Sequence, residues 1–81
     1  MTDGMNRTYH VTIERDGETW RAVCPALRDQ GAVSGGETRE EALVHIEGVL
    51  VMILSEIAAS GATPPPDLAV LGGIPLTMEI G

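Results

Sequence analysis

The sequence contains no lysine, one cysteine and two histidines, and each scarcity excludes a class of site. A single cysteine, Cys24, cannot form an internal disulfide. His10 and His45 are far apart in the chain and belong to no Cys/His pattern with zinc spacing. The basic residues are five arginines scattered among acids, whereas phosphate binding needs clustered cations. The sequence therefore predicts no metal, no cofactor and no direct contact with nucleic acid.

Long apolar runs and a secretory leader are also missing. The longest apolar stretch of the predicted helix, residues 48–54, is much shorter than the ~18–20 residues of a membrane span. Residues 1–6 are short and polar, so we expect a disordered leader rather than a signal peptide, and Met5 is a possible second start. Together with the lone cysteine, these features predict a cytoplasmic protein that makes no membrane contact.

What the sequence does contain is enough for one acidic domain. The chain has 81 residues, 43% of them hydrophobic, and a formal net charge of −7. This length and composition predict a single domain, residues 7–81, with its own core. An acidic surface suits a basic protein partner by charge complementarity. Acidity that serves solubility alone is the interpretation that composition by itself favours.

Residues 7–24 alternate apolar and polar side chains around Asp16-Gly17, which is the pattern of a β-hairpin. A two-residue loop at Asp16-Gly17 places Ile13 opposite Trp20 and His10 opposite Val23. One face then collects the apolar side chains of Tyr9, Val11, Ile13, Trp20, Ala22 and Cys24. The other face carries His10, Thr12, Glu14, Thr19, Arg21 and Val23. We therefore expect a sheet that is buried on one side and solvated on the other.

The rest of the chain supplies two more strands. Pro25 ends the second strand, residues 26–31 form a loop, and residues 32–34 are predicted as a third strand followed by a turn at Gly35-Gly36. Residues 76–80 alternate apolar and polar and are predicted as a last strand. A strand that returns by way of a helix can lie parallel to an earlier one.

A long helix is predicted over residues 39–60. Thr38 and Glu41 match a capping box, and Gly61 with the prolines at 64–66 ends the helix. A broad apolar stripe at helical spacing comprises Ala42, Leu43, Ile46, Val49, Leu50, Ile53, Leu54 and Ile57. The order of elements is thus β-β-β-α-β, which predicts a two-layer α+β fold with the helix on one face of the sheet.

The helix has more apolar side chains than one small sheet can cover. Val44 and Val51 lie on a second stripe, and Met52 is apolar on another side. We expect Val44, Val51 and Met52 to form an interface, either between copies of this chain in a dimer or tetramer or with another protein. Scattered surface apolars, which are normal in soluble proteins, are the alternative.

Three segments in order give the chain a family resemblance: Cys-Pro-Ala-Leu at 24–27, Gly-Glu-Thr-Arg-Glu-Glu-Ala-Leu at 36–43, and Gly-Ala-Thr-Pro-Pro-Pro at 61–66. Over about residues 7–66 the chain resembles the HicB family of antitoxins. The resemblance implies a partial ribonuclease-H-like fold, a homo-oligomer, and an antitoxin that binds and silences a small basic HicA-type mRNA interferase. Two departures are a longer loop at 28–31 and no DNA-binding module after Ile80, so we expect no autorepression.

The implied partner surface is acidic. It is formed either by the solvated sheet face with Glu14 or by the helix, where the candidate partner-binding residues are Glu37, Glu40, Glu41 and Glu47. The alternative is an orphan HicB-like scaffold that self-assembles, has no toxin partner and catalyses nothing. Genomic neighbourhood discriminates the two, because the antitoxin role requires an adjacent gene for a small basic protein.

Catalysis is not expected. Metal-dependent hydrolysis needs converging carboxylates, and charge alone does not make a site of the acids considered for it, namely Glu14, Asp16, Glu47 and Glu79. The hydroxyls of Ser34, Thr38 and Ser55 have no partners for a triad. Cys24 and Trp20 are predicted as core residues, His45 as the partner of Glu41, and His10 as a surface residue. The sequence therefore predicts a binding protein rather than an enzyme.

Overall fold

The computed structural model describes residues 5–68 and 71–80. Its elements are strand β1 (Met5–Asp16), strand β2 (Thr19–Val23), a 3-10 helix (Pro25–Gln30), strand β3 (Val33–Gly36), helix α1 (Arg39–Ala59) and strand β4 (Ile74–Ile80). The four strands form one antiparallel sheet in the order β3-β2-β1-β4. Helix α1 packs on one face of this sheet, and the opposite face is called the wet face below. The predicted α+β class is confirmed at this level.

The hairpin forms, but its predicted register is wrong. The loop residues are Gly17 and Glu18, so that Arg15 lies opposite Trp20 and Ile13 opposite Ala22. Gly17 has φ +66° and no non-glycine residue of the described chain has positive φ, as in a type II′ turn whose first central residue is glycine. The predicted loop required Asp16 to adopt positive φ, which costs energy for any residue with a Cβ.

The predicted faces of the hairpin survive this shift. Moving the loop by one residue shifts the partner of each β1 residue by two positions along β2. Because side chains alternate between the two faces of a strand, a shift of two keeps every residue on its predicted face. Val11, Ala22 and Cys24 are accordingly fully buried, and Ile13 and Trp20 pack half-buried against the same core.

Strand β1 has two partners, each along half of its length. Residues Thr12 to Asp16 pair with β2, and residues Met5 to Val11 pair with β4 in antiparallel register. Strand β4 therefore runs antiparallel to β1, not parallel to it as the sequence suggested. Met5 and Asn6, predicted in the leader, belong to β1 because their backbones pair with the distant end of β4, whereas residues 1–4 lie outside the described residues.

Helix α1 is capped at both ends as the sequence predicts. The Glu41 N–H donates to Thr38 Oγ1 (3.0 Å), and Glu41 Oε1 accepts from the Glu37 N–H (2.9 Å). At the other end Gly61 has φ +80°, and the Ala62 N–H donates to the Ile57 carbonyl (3.2 Å), which is a Schellman closure. The helix ends at Ala59 with Ser60 as its cap, one residue before the predicted boundary.

The predicted turn at Gly35-Gly36 is wrong, because both glycines belong to β3. A Cβ on Gly36 would lie 2.7 Å from Ala42 N and 2.8 Å from Glu41 Cβ. A Cβ on Gly35 would lie 3.0 Å from the Trp20 carbonyl oxygen. The glycine pair therefore lets the first turn of α1 and the backbone of β2 approach β3 more closely than a side chain would allow.

The core lies between α1 and the sheet. Its fully or nearly fully buried residues are Tyr9, Val11, Ala22, Cys24, Leu27, Ala32, Ala42, Ile46, Leu50, Leu54 and Met78. The four from α1 are spaced by four positions, so they form one ridge along the helix and confirm the predicted core stripe.

By length and composition alone, α1 is apolar enough to cross a membrane, with a mean hydropathy of 1.9 over an 18-residue window. This corrects the expectation drawn from uninterrupted apolar runs, because Glu47 and Glu56 break the run without making the helix polar. Core helices of soluble proteins pass the same test, and here α1 packs on the sheet. Only 22% of that window is buried, so much of its apolar surface points outward.

Candidate protein-binding surface

The side of α1 turned away from the sheet carries exposed apolar residues. Val44 is 65% exposed and Met52 is 60% exposed. Gly48 lies between them, and no atom lies within 4 Å of the position that its Cβ would take. These three residues follow one another at intervals of four, so they form a single ridge, called here the outer face of α1. The third predicted interface residue, Val51, is half-buried against the core and belongs to the fold as much as to this surface.

The four predicted partner-binding acids are all exposed. Glu37, Glu40 and Glu41 lie together at the start of α1, although one carboxylate oxygen of Glu41 is occupied by the cap. Glu40 precedes Val44 by four positions and Glu47 follows it by three, so both lie on the same side of the helix as Val44. The outer face of α1 thus has an acidic border at its N-terminal half.

On the wet face of the sheet, Glu14 lies among basic side chains. Arg21 lies directly opposite Glu14 on the neighbouring strand. A groove of about 330 Å³ on this face is lined by Thr12, Glu14, Arg21, Val23, Pro25 and Arg28. The sequence reasoning missed this groove because Arg28 reaches it only through the fold of the 3-10 helix.

The segment after α1 is held on the sheet by residues 64–67, called here the strap. Tyr9 Oη donates to the Pro65 carbonyl (2.5 Å), and the His10 N–H donates to Asp67 Oδ1 (2.9 Å). His10 Nδ1 lies 2.5 Å from Asp67 Oδ2. His10 therefore pairs with a carboxylate 57 residues away and faces Pro75 of β4, not Val23 as predicted.

Two pKa shifts follow from these contacts. Partial burial alone would raise the pKa of Asp67, but the hydrogen bonds from the His10 N–H and imidazole outweigh it and lower that pKa. Burial raises the pKa of Tyr9, and the charge of Arg7 opposes this only in part. The strap is thus fastened by an ionised carboxylate and a neutral phenol.

His45 has a different partner from the one predicted. Its Nδ1–H donates to the Gly35 carbonyl of β3 (2.7 Å) rather than to Glu41. A carbonyl oxygen can only accept, so this contact fixes the tautomer of a neutral imidazole. His45 therefore joins the first turns of α1 to the edge strand β3, and this contact explains why a histidine lies at this position.

Within the described residues no group of three or more His, Cys, Asp or Glu side chains could hold a metal ion, and the side chain of Glu79 lies outside them. Cys24 is fully buried, and burial raises the pKa of its thiol, which lowers its reactivity. Trp20 packs half-buried on the core with the Arg15 guanidinium 5.7 Å from its ring centroid.

Comparisons with protein-family models, with curated proteins and with solved structures find no match to this chain. The resemblance to the HicB family therefore depends on the three sequence segments alone.

Proposed function

We propose that this chain is a non-enzymatic, cytoplasmic protein-binding domain that meets its partner through the outer face of α1. The observation that carries the proposal is the exposure of Val44 and Met52, 65% and 60%, on a helix whose opposite side forms the core. Removing the apolar side chains of this ridge from water lowers the free energy, so a partner that covers them is bound favourably. Gly48 supports a helix or strand as the covering element, because it leaves room for a backbone at close range.

The acidic border indicates the chemistry of the partner. Glu40 and Glu47 flank Val44, and the whole chain has a net charge of −7. This charge would attract a basic protein, and apolar surface of that protein would then be buried against the outer face of α1. With the sequence resemblance, a HicA-type mRNA interferase is the partner to test first. Neutralisation would then consist of covering the basic surface that the toxin needs for RNA.

The test is co-expression of the chain with each small basic protein that a neighbouring gene encodes. We expect the pair to co-purify and the chain to relieve growth arrest caused by the partner. Replacing Glu40 and Glu47 by Arg should abolish both effects, because the border would then repel a basic surface. Glu18→Arg in the exposed hairpin turn changes charge elsewhere and should leave both intact. Co-purification that is unaffected by the helix variants would contradict the proposed surface.

A second candidate function is a self-assembling scaffold without a toxin. It is favoured by the geometry of the ridge: in a two-fold pair of antiparallel helices, Gly48 of one copy can face Gly48 of the next, with Val44 near Met52. Met52→Glu should then reduce the mass measured by light scattering to that of one chain. Leu71→Glu, at a fully exposed leucine away from the helix, is the matched control and should leave the mass unchanged. A monomeric unmodified chain would eliminate the scaffold.

A further inference from the structure

The groove on the wet face is built from two neighbouring cross-strand pairs and one turn. Glu14 lies opposite Arg21, and Thr12 lies opposite Val23. Pro25 and Arg28 of the 3-10 helix line the side next to the end of β2. The groove is open to solvent, and its volume of about 330 Å³ lies at the lower end of the range of about 300–1,000 Å³ typical of small-molecule sites.

The turn that carries Arg28 is firmly fixed. Leu27, its neighbour, is fully buried in the core. The Gly31 N–H donates to the Arg28 carbonyl (3.0 Å), and the Leu27 N–H donates to the Cys24 carbonyl (3.1 Å). Gly31 closes the turn with φ +89°. Arg28 therefore presents its side chain from an ordered backbone, although the side chain itself is exposed.

The two guanidinium groups of the groove form no close ion pair with the described residues. Within the described chain, neither Arg21 nor Arg28 has a carboxylate oxygen within 4.0 Å, the distance that defines an ion pair. With Glu14 included, the lining has two positive charges and one negative charge, on a chain whose net charge is −7. The groove is thus a local region of positive charge on an acidic protein.

We propose that this groove binds a small organic monocarboxylate that carries an apolar group. Guanidinium groups present paired N–H donors that match the two oxygens of a carboxylate. Val23 and Pro25 supply an apolar wall beside them, and Thr12 supplies a hydroxyl. The single net positive charge of the lining suits a monoanion, whereas Glu14 disfavours phosphate dianions and the polyanionic backbone of nucleic acid. The site lies on the wet face, so it is independent of the protein-binding surface on α1.

The test is a titration of the whole chain with benzoate, followed by amide chemical shifts in two-dimensional NMR near neutral pH. We expect saturable shifts confined to the amides of Thr12, Glu14, Arg21, Val23 and their neighbours. Benzamide, which has the same shape without the charge, should bind at least about tenfold more weakly, because it lacks the charge-assisted hydrogen bonds. Inorganic phosphate should also bind more weakly than benzoate.

Matched arginine variants assign the effect to the groove. Arg21→Gln and Arg28→Gln should each raise the benzoate Kd about tenfold, and their amide spectra report that the fold is intact. Arg39→Gln, at an exposed arginine at the start of α1, should leave the Kd unchanged. The proposal is overturned by benzoate shifts that do not saturate, by equal affinity in the Arg21 and Arg28 variants, or by benzamide or phosphate binding as tightly as benzoate.

Discussion

Asp67 is the residue that fastens the return of the chain to the sheet. One oxygen of its carboxylate accepts the backbone N–H of His10 and the other meets the imidazole, so both oxygens are used. The His10 N–H points away from β4, where Pro75 faces it, and has no strand partner on the β2 side because β2 ends at Val23. Asp67 thus accepts a hydrogen bond from a backbone N–H that lies beyond the end of β2 and would otherwise have no partner in the sheet. Tyr9 binds the strap from the core side of the sheet.

Replacing Asp67 by Asn should destabilise the protein in a pH-dependent way. Folding lowers the pKa of Asp67, so its stabilisation is present above the unfolded value of about 4 and is lost as the pH falls through the folded value. We expect Asp67→Asn to cost about 1 kcal/mol near pH 7 and much less near pH 2. Urea unfolding at both pH values, followed by the fluorescence of Trp20, measures this difference.

Glu18→Gln, in the exposed turn, is the control for removal of a carboxylate and should change stability little at either pH. A constant gap between the unmodified chain and Asp67→Asn at both pH values would show that the carboxylate charge contributes nothing to the strap.

Two glycines of the helix–strand unit have opposite roles. Gly36 lies where β3 and the first turn of α1 meet, and an added Cβ would collide with backbone at 2.7 Å. Gly48 lies in the middle of α1 on its outer face, with open space around it. Glycine within a helix costs about 0.5–1 kcal/mol relative to alanine, and nothing in the single chain compensates for this cost at Gly48.

Alanine at these two positions should therefore change stability in opposite directions. Gly36→Ala should lower the free energy of unfolding by about 2 kcal/mol, because the helix start must move away from β3. Gly48→Ala should raise it by about 0.5–1 kcal/mol in the dilute chain. Urea unfolding at low protein concentration measures both. A destabilised Gly48→Ala variant would mean that the helix already packs against something at this point.

The elements that depend on local pattern were predictable, and those that depend on distant partners were not. Thr38 and Gly61 mark the ends of α1 because caps are local, and the two faces of the hairpin follow from the side-chain period. The loop was misplaced because Asp-Gly suggests a type I′ turn with two positive φ angles, whereas in this hairpin only Gly17 has positive φ. The position of β4, the strap at Asp67 and the arrival of Arg28 at the groove depend on contacts between distant segments, which no local pattern contains.

The molecule carries the outer face of α1 and the groove of the wet face on opposite sides. It is elongated, 44 × 20 × 19 Å, with a thin core between one helix and one sheet. The outer face of α1 is apolar with an acidic border, while the wet face holds Arg21 and Arg28 of the groove. A small domain of this size buries only about 60% of its unfolded surface, so covering α1 with a partner also adds stability to the fold.

The central claim is that the outer face of α1 is covered by protein under working conditions, and Met52 allows this to be measured without knowledge of the partner. Met52 is 60% exposed and Met78 is 2% exposed, so the second is an internal reference for buried methionine. Peroxide oxidation of each residue is followed by mass spectrometry, in the dilute purified chain and in a concentrated native extract that contains it, with a reference peptide added to both. We predict that Met52 oxidises rapidly in the dilute chain and several-fold more slowly in the extract, while Met78 is slow in both. Equal rates for Met52 in the two samples would contradict the account.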